Sequence, residues 1–171
     1  MRNKSFKITA VALIVAILAM MMAGCGAPTI SKPQMSEGAQ SVKVEGSCDI
    51  AINGDVITVS GETNLMDGVV LDISIVSQDG MTVDNVRVTK NGDQVSQDFA
   101  ITSEKFDETV KSVTGFIACA PSQYGQHANQ DTVFDKYGKK FENIEADKEN
   151  LVWNAGGNVV LFASQSIDIP Q

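Results

Sequence analysis

Residues 42–59 read VKVEGSCDIAINGDVITV, and their texture decides the fold class. Val42, Val44, Cys48, Ile50 and Ile52 fall on one parity, with polar or small residues between them. Successive side chains of a strand point to opposite faces, so this period of two marks a strand with one face buried. Asn53-Gly54-Asp55 then supplies residues that accept the left-handed backbone of a tight turn, and Ile57 and Val59 resume the alternation. The stretch reads as a β-hairpin.

The same texture continues outward from it. A turn across residues 64–68 leads to a strand carrying Leu71, Ile73 and Ile75, and Gln78-Asp79-Gly80 turns into residues 81–89. Lys90-Asn91-Gly92-Asp93 leads to residues 95–101, and further strands are expected over 110–120 and 158–169. About seven half-buried strands without intervening helices must bury their apolar faces against one another. The expected class is therefore all-β, an antiparallel two-sheet β-sandwich. One short helix is expected at 130–137, where Val133, Phe134 and Tyr137 share a face and Gly138 is placed to end it. Polar residues 145–150 are expected to add a further short helical turn.

Upstream of the hairpin the chain changes character. Arg2, Lys4 and Lys7 precede a run without charge from residue 8 to residue 23. Basic residues before a short apolar run form a secretory signal, the basic end staying on the cytoplasmic side. As a helix rising about 1.5 Å per residue the run reaches roughly 24 Å, short of the ~30 Å hydrocarbon core, which favours a signal helix over a permanent span. Met20-Met21-Met22-Ala23-Gly24-Cys25 closes it and resembles the bacterial lipobox, with Met22 where that family more often has leucine. The resemblance implies cleavage after residue 24 and a diacylglyceryl group on the Cys25 thiol. One acyl chain holds a protein only marginally at a membrane, and a processed lipoprotein carries at least two, such as palmitate. Residues 26–40, GAPTISKPQMSEGAQ, hold Gly26, Pro28, Pro33 and Gly38 without periodicity and read as a flexible tether, at most about 50 Å when extended. The expected organisation is a signal peptide over 1–24, lipidated cysteine and tether over 25–40, and a β-sandwich domain over 41–171.

Two stretches within the domain carry a second resemblance. GETNLMDGVVLDISI (61–75) resembles a strand–turn–strand signature of small secreted β-sandwich domains of Gram-positive bacteria, of immunoglobulin-like or prealbumin-like type. Residues 133–141, with Tyr137-Gly138-Lys139-Lys140, are similar to the segment after the penultimate strand of such domains. The resemblance implies the fold and an extracellular setting. It implies no activity, because sandwiches host many unrelated functions.

Charge and cysteines narrow the function classes. The chain has 13 basic and 21 acidic residues. Three of the basic residues fall in the signal peptide, leaving ten against 21, a formal −11 for the remainder. Such a surface repels phosphate backbones and anionic headgroups, so no nucleic-acid partner is expected. Cys48 and Cys119 have two readings, a disulfide allowed by the exported compartment or two small buried apolar side chains. With no CxxC and a single histidine, no metal site and no cofactor beyond the Cys25 lipid are expected.

No catalytic constellation emerges. His127 lies in the polar loop PSQYGQHANQD (121–131) with no nucleophile-elbow pattern nearby. Asp107/Glu108 and Asp131/Asp135 read as solvated carboxylates. Asp67, Asp79, Asp93 and Asp131 offer loop oxygens for calcium but follow no EF-hand spacing. Gly156-Gly157 reads as the turn before the last strand. The candidate ligand loop is 121–131, with Tyr124 and His127, joined by Trp153. The competing expectation is that Trp153, Phe134 and Phe141 cap the open end of the core. The expected function is a non-enzymatic binding or interaction module on the outer face of the cell membrane, engaging an unidentified envelope or extracellular ligand. A structural or accessory envelope protein is the alternative, and a hydrolase or inhibitor the third.

The anchor has a direct check. Cells fed a fatty-acid analogue should label the wild-type chain and leave Cys25→Ser unlabelled. Equal labelling of both would remove Cys25 as the acylation site.

Overall fold

A computed structural model describes residues 33–35, 37–124 and 128–170, with the backbone alone at Tyr124. The expected signal peptide, Cys25, most of the expected tether and His127 lie outside the described residues.

The hairpin quoted first is present. β2 (Asp49–Asn53) and β3 (Val56–Glu62) pair antiparallel, with Asn53 opposite Val56. Gly54 takes the left-handed backbone (φ 60°) that the first central position of a two-residue hairpin turn demands. After β3 come β4 (Val70–Ser77), β5 (Thr82–Thr89), β6 (Gln94–Ala100) and β7 (Ser112–Cys119). β2, β3 and β6 form one sheet in the order 2-3-6. The other sheet has six strands. Its main path runs 5-4-7-10-9, using β9 (Leu151–Asn154) and β10 (Gly157–Ala163), while β11 (Ile167–Asp168) also pairs with β7. The chain crosses between sheets at the β3–β4, β5–β6 and β6–β7 links. The expected all-β sandwich is the observed fold.

The core lies between the sheets, where alternation puts it. Ile57 and Val59 of β3 face Leu71, Ile73 and Ile75 of β4 and Val113 and Ile117 of β7, all fully or almost fully buried. Each such side chain taken from water stabilises by roughly 1.5–3 kcal/mol. On the opposite parity of β4, Val70 is buried while Asp72, Ser74 and Val76 are half-buried.

Two expected strands are interrupted, each for a visible reason. The first, across 42–52, splits into β1 (Val42–Lys43) and β2 because the chain changes partners at Gly46. A Cβ there would stand 2.5 Å from the Glu62 carbonyl oxygen and 2.7 Å from the Phe162 ring, so only glycine permits the crossing. The last, across 158–169, splits into β10 and β11. Between the pairs Ala163–Phe116 and Ile167–Val113 the chain uses one more residue than β7 does, a bulge at which Gly115 N–H donates to Ser164 Oγ.

Between β7 and β10 the chain makes a long excursion. It begins with a 3₁₀ turn (Pro121–Tyr124), and α1 follows at the expected Gln130–Tyr137. Gly138 ends α1 at φ 83°, its N–H donating to the Phe134 carbonyl. Residues 145–150 do not form the expected helical turn. Glu145 instead ends β8 (Ile144–Glu145), and a single turn closes through Asn150 N–H on the Asp147 carbonyl. β8 pairs in parallel with β1, Val42 opposite Ile144. This excursion seals one end of the sandwich: Val133, Tyr137 and Phe141 are fully buried against the core. Tyr137 and Phe141 meet edge to face at 5.7 Å between ring centroids. The Tyr137 hydroxyl accepts the Met66 N–H at 2.8 Å, tying the cap to the β3–β4 crossover, and burial pushes its pKa above the ordinary tyrosine value.

Removing that hydroxyl leaves a partly buried amide without its acceptor. Tyr137→Phe should lower unfolding stability by about 1–2 kcal/mol. In a urea titration this reads as a lower midpoint with an unchanged slope, and an unchanged midpoint would mean that the bond contributes nothing.

Candidate functional site

The cap end is where the sequence placed its candidate residues, and the structure separates them. Tyr124 closes the 3₁₀ turn, which lies against β10 on the outer side of the six-stranded sheet. The side is fixed by Gln123, whose amide N–H donates to Asp72 Oδ2 at 2.6 Å. Asp72 points away from the core and takes two further bonds from Arg87, at 2.8 and 3.3 Å. Trp153 belongs to the other side. It stands opposite Asn158 and shares its parity with Leu151, which pairs with the core-facing Val160. Tyr124 and Trp153 therefore border the same strand from opposite faces of the sheet.

Trp153 faces coreward and is nevertheless 42% exposed. β9 is the margin of the larger sheet, and the three-stranded sheet packs chiefly over β4 and β7. Trp153 thus does not join Phe141 in capping the core; Phe134, on α1, is half-buried. β9 is unusual among the sheet margins. β2 carries Asp49, β5 carries Asp84 and Arg87, and β6 carries Asp98, whereas β9 reads Leu-Val-Trp-Asn with no ionisable group. Charged side chains are the usual protection of an edge strand, so β9 is the least protected margin.

Around Trp153 the cap backbone is drawn tight. Asn158 N–H donates to the Lys140 carbonyl at 2.8 Å, and its side-chain amide donates to the Phe141 carbonyl at 3.0 Å. Phe141 holds φ 54°, a left-handed conformation that a non-glycine residue adopts only under constraint. Asn143 is the hub on the other side. Its N–H donates to the Tyr137 carbonyl at 3.0 Å, and its carbonyl accepts the Val42 N–H at 2.7 Å. The entry of the chain into the domain, the lysine-bearing turn after α1 and Trp153 are thus joined by direct contacts.

The two cysteines are buried thiols with no disulfide between them. Cys48 meets the Ser164 backbone, and Ser164 is bonded to Gly115. Cys119 lies four residues farther along β7, about 13 Å at ~3.3 Å per residue, beyond the Cα separation a disulfide tolerates. Burial, aided by nearby Asp49, pushes the Cys48 pKa up to about 12, so it stays a neutral thiol.

The acidic candidates are held by neighbours. Asp67 accepts Lys90 Nζ at 3.0 Å and the Gly92 N–H at 2.9 Å, and those bonds hold its carboxyl below the usual range. The Lys90 side chain is only 1% exposed, and Asp93 lies 3.9 Å from its Nζ. The Asp107 carboxyl is likewise lowered by bonds from Thr109. Asp131 lies in the first turn of α1 rather than in a loop. A groove of about 310 Å³ runs between Glu45, Glu62, Thr63, Asn64 and Asp93. Two of its carboxylates are engaged there, Glu45 with Lys43 and Glu62 with Gln94. Among the described residues no three His, Cys, Asp or Glu side chains gather as a metal-binding group, and no helix is long and apolar enough to cross a membrane.

Comparison with protein families, with curated proteins and with solved structures finds no match to this chain.

Proposed function

We propose that this chain is a lipid-anchored, extracytoplasmic β-sandwich that works without catalysis, as a contact module of the bacterial cell envelope. The basic start, the short apolar run and the lipobox-like residues ending at Cys25 support the location. The strand orders 2-3-6 and 5-4-7-10, with crossings at β3–β4, β5–β6 and β6–β7, support the immunoglobulin-like type. In that arrangement the excursion from β7 to β10 occupies the loop position at one end of the sandwich, where such domains present contact surfaces.

The observation that carries the reading is Trp153, a large exposed side chain on the one uncharged sheet margin, beside the cap. Exposed aromatic residues at a rigid margin are strong contact anchors, since they bury much area at little entropic cost. A second reading is an accessory protein that accepts a strand of an envelope partner on β9. The pairing of β9 with β10 alone among the described residues favours it.

A photo-crosslinking residue at position 153 in living cells tests the contact, with position 81 as control. Met81 is 70% exposed in the β4–β5 turn at the opposite end. An adduct at 153, whether protein or lipid, well above that at 81 is expected. Equal, low yields at both positions would remove the contact module.

A further inference from the structure

Three features converge at the cap end. The first is Trp153, the only tryptophan of the chain. The second is Lys136, Lys139 and Lys140, all exposed and without an ion pair among the described residues, in contrast to Lys43, Arg87, Lys90 and Lys105. The third is the entry of the chain at Val42. A short path of bonds connects them: Val42 to Asn143, Asn143 to Tyr137, and Lys140 to Asn158, which stands opposite Trp153.

We infer that the cap end rests on the outer surface of the anchoring bilayer, with Trp153 at headgroup level and Lys136, Lys139 and Lys140 against anionic phosphates. The inference rests on the anchored reading above and names the partner of the same contact. Tryptophan is the side chain most at home at a membrane interface, apolar in body with one polar N–H. Lysines reach outward from such a surface on long stems and are drawn to anionic lipid. The tether from Cys25 enters at this end, which keeps this surface closer to the anchor than the far end of the sandwich.

The overall −11 does not oppose the arrangement, because screening limits each charge to about 8 Å at physiological salt. What counts is the face presented. Asp55, Asp79, Glu104, Asp107 and Glu108 lie in the turns and link at the far end, beside the β2–β3 hairpin, the β4–β5 turn and the start of β7. The cap end carries carboxylates of its own. Glu142 turns back onto the Lys140 N–H at 2.7 Å, Glu45 pairs with Lys43 and Asp67 with Lys90. Glu62 and Asp93 line the groove, and Glu145 and Asp147 lie near Lys43. Asp131 and Asp135 occupy a different stripe of α1, about 100–140° round from Lys136 at 3.6 residues per turn.

The single tryptophan makes the test direct. The acylated chain is reconstituted in vesicles of phosphatidylcholine, alone or mixed with phosphatidylglycerol, with and without brominated acyl chains. In mixed vesicles Trp153 emission should shift to the blue and be quenched by the brominated chains. Each lysine at the headgroups contributes about a fivefold bias to the docked state, so Lys136→Gln/Lys139→Gln/Lys140→Gln should lower the docked-to-free ratio by up to about a hundredfold. Lys139→Gln/Lys140→Gln should show part of the loss while sparing the Lys136 ammonium, which lies 5.3 Å from the centre of the Tyr137 ring. Unchanged urea midpoints would show that both variants fold. A chain that floats with the vesicles while Trp153 stays unquenched overturns the docking and leaves the anchor standing. So does quenching that is equal in neutral vesicles and in the triple variant, or shielding that appears only when envelope proteins are added. A chain that neither floats nor carries an acyl group overturns the anchored reading itself, and the docking with it.

Discussion

A three-stranded sheet packed on a six-stranded one cannot cover the whole coreward face of the larger sheet, so the chain must shield the remainder by other means. The 37 residues between β7 and β10 do this at one end. They bring Val133, Tyr137 and Phe141 into the core and return to it through Asn143 and Asn158. Without them the upper core around Leu65 and Cys119 would lie open to water, at a cost of tens of cal/mol for each Å² of apolar surface. The cap is thus part of the fold and not an appendage to it.

The same shortfall of covering strands leaves Trp153 exposed. β9 exists because the cap excursion must come back alongside β10, and it forms the margin of the larger sheet, whereas the smaller sheet packs chiefly over β4 and β7. The β1–β8 pairing gives the cap a second consequence: whatever holds the N-terminal segment also holds this end of the domain. A sealing problem in the core therefore gathers the chain entry, a lysine-bearing turn and the one tryptophan at a single end.

Much of the fold was legible in the sequence because it rests on local, periodic signals. Seven strands follow from alternation and from turn residues such as Gly54, Gly80 and Gly92, whose positive φ angles the structure bears out. α1 follows from the shared face of Val133, Phe134 and Tyr137. The two-residue β8 and the four-residue β9 are too short for periodicity to register, so strand pairing in the cap was invisible. For the same reason Trp153 was grouped with Phe134 and Phe141, when only a known register separates a margin strand from a core cap. The pairing of Cys48 with Cys119 needed distances that no spacing supplies. Tyr124 and Trp153 are close to the same strand, but the face each borders is a property of the sheet, not of the loop composition.

The central claim is that cap, chain entry and sandwich form one cooperative unit, and native-state hydrogen exchange tests it most directly. The amides to compare are those of Val42, Asn143 and Asn158, each bonded within or into the cap, and those at the centre of β4 and β7. The account predicts that all of them exchange through the same global opening, with free energies agreeing within about 1 kcal/mol. Cap amides that exchange several kcal/mol more easily, while β4 and β7 remain protected, would contradict it and make the cap a separately opening loop.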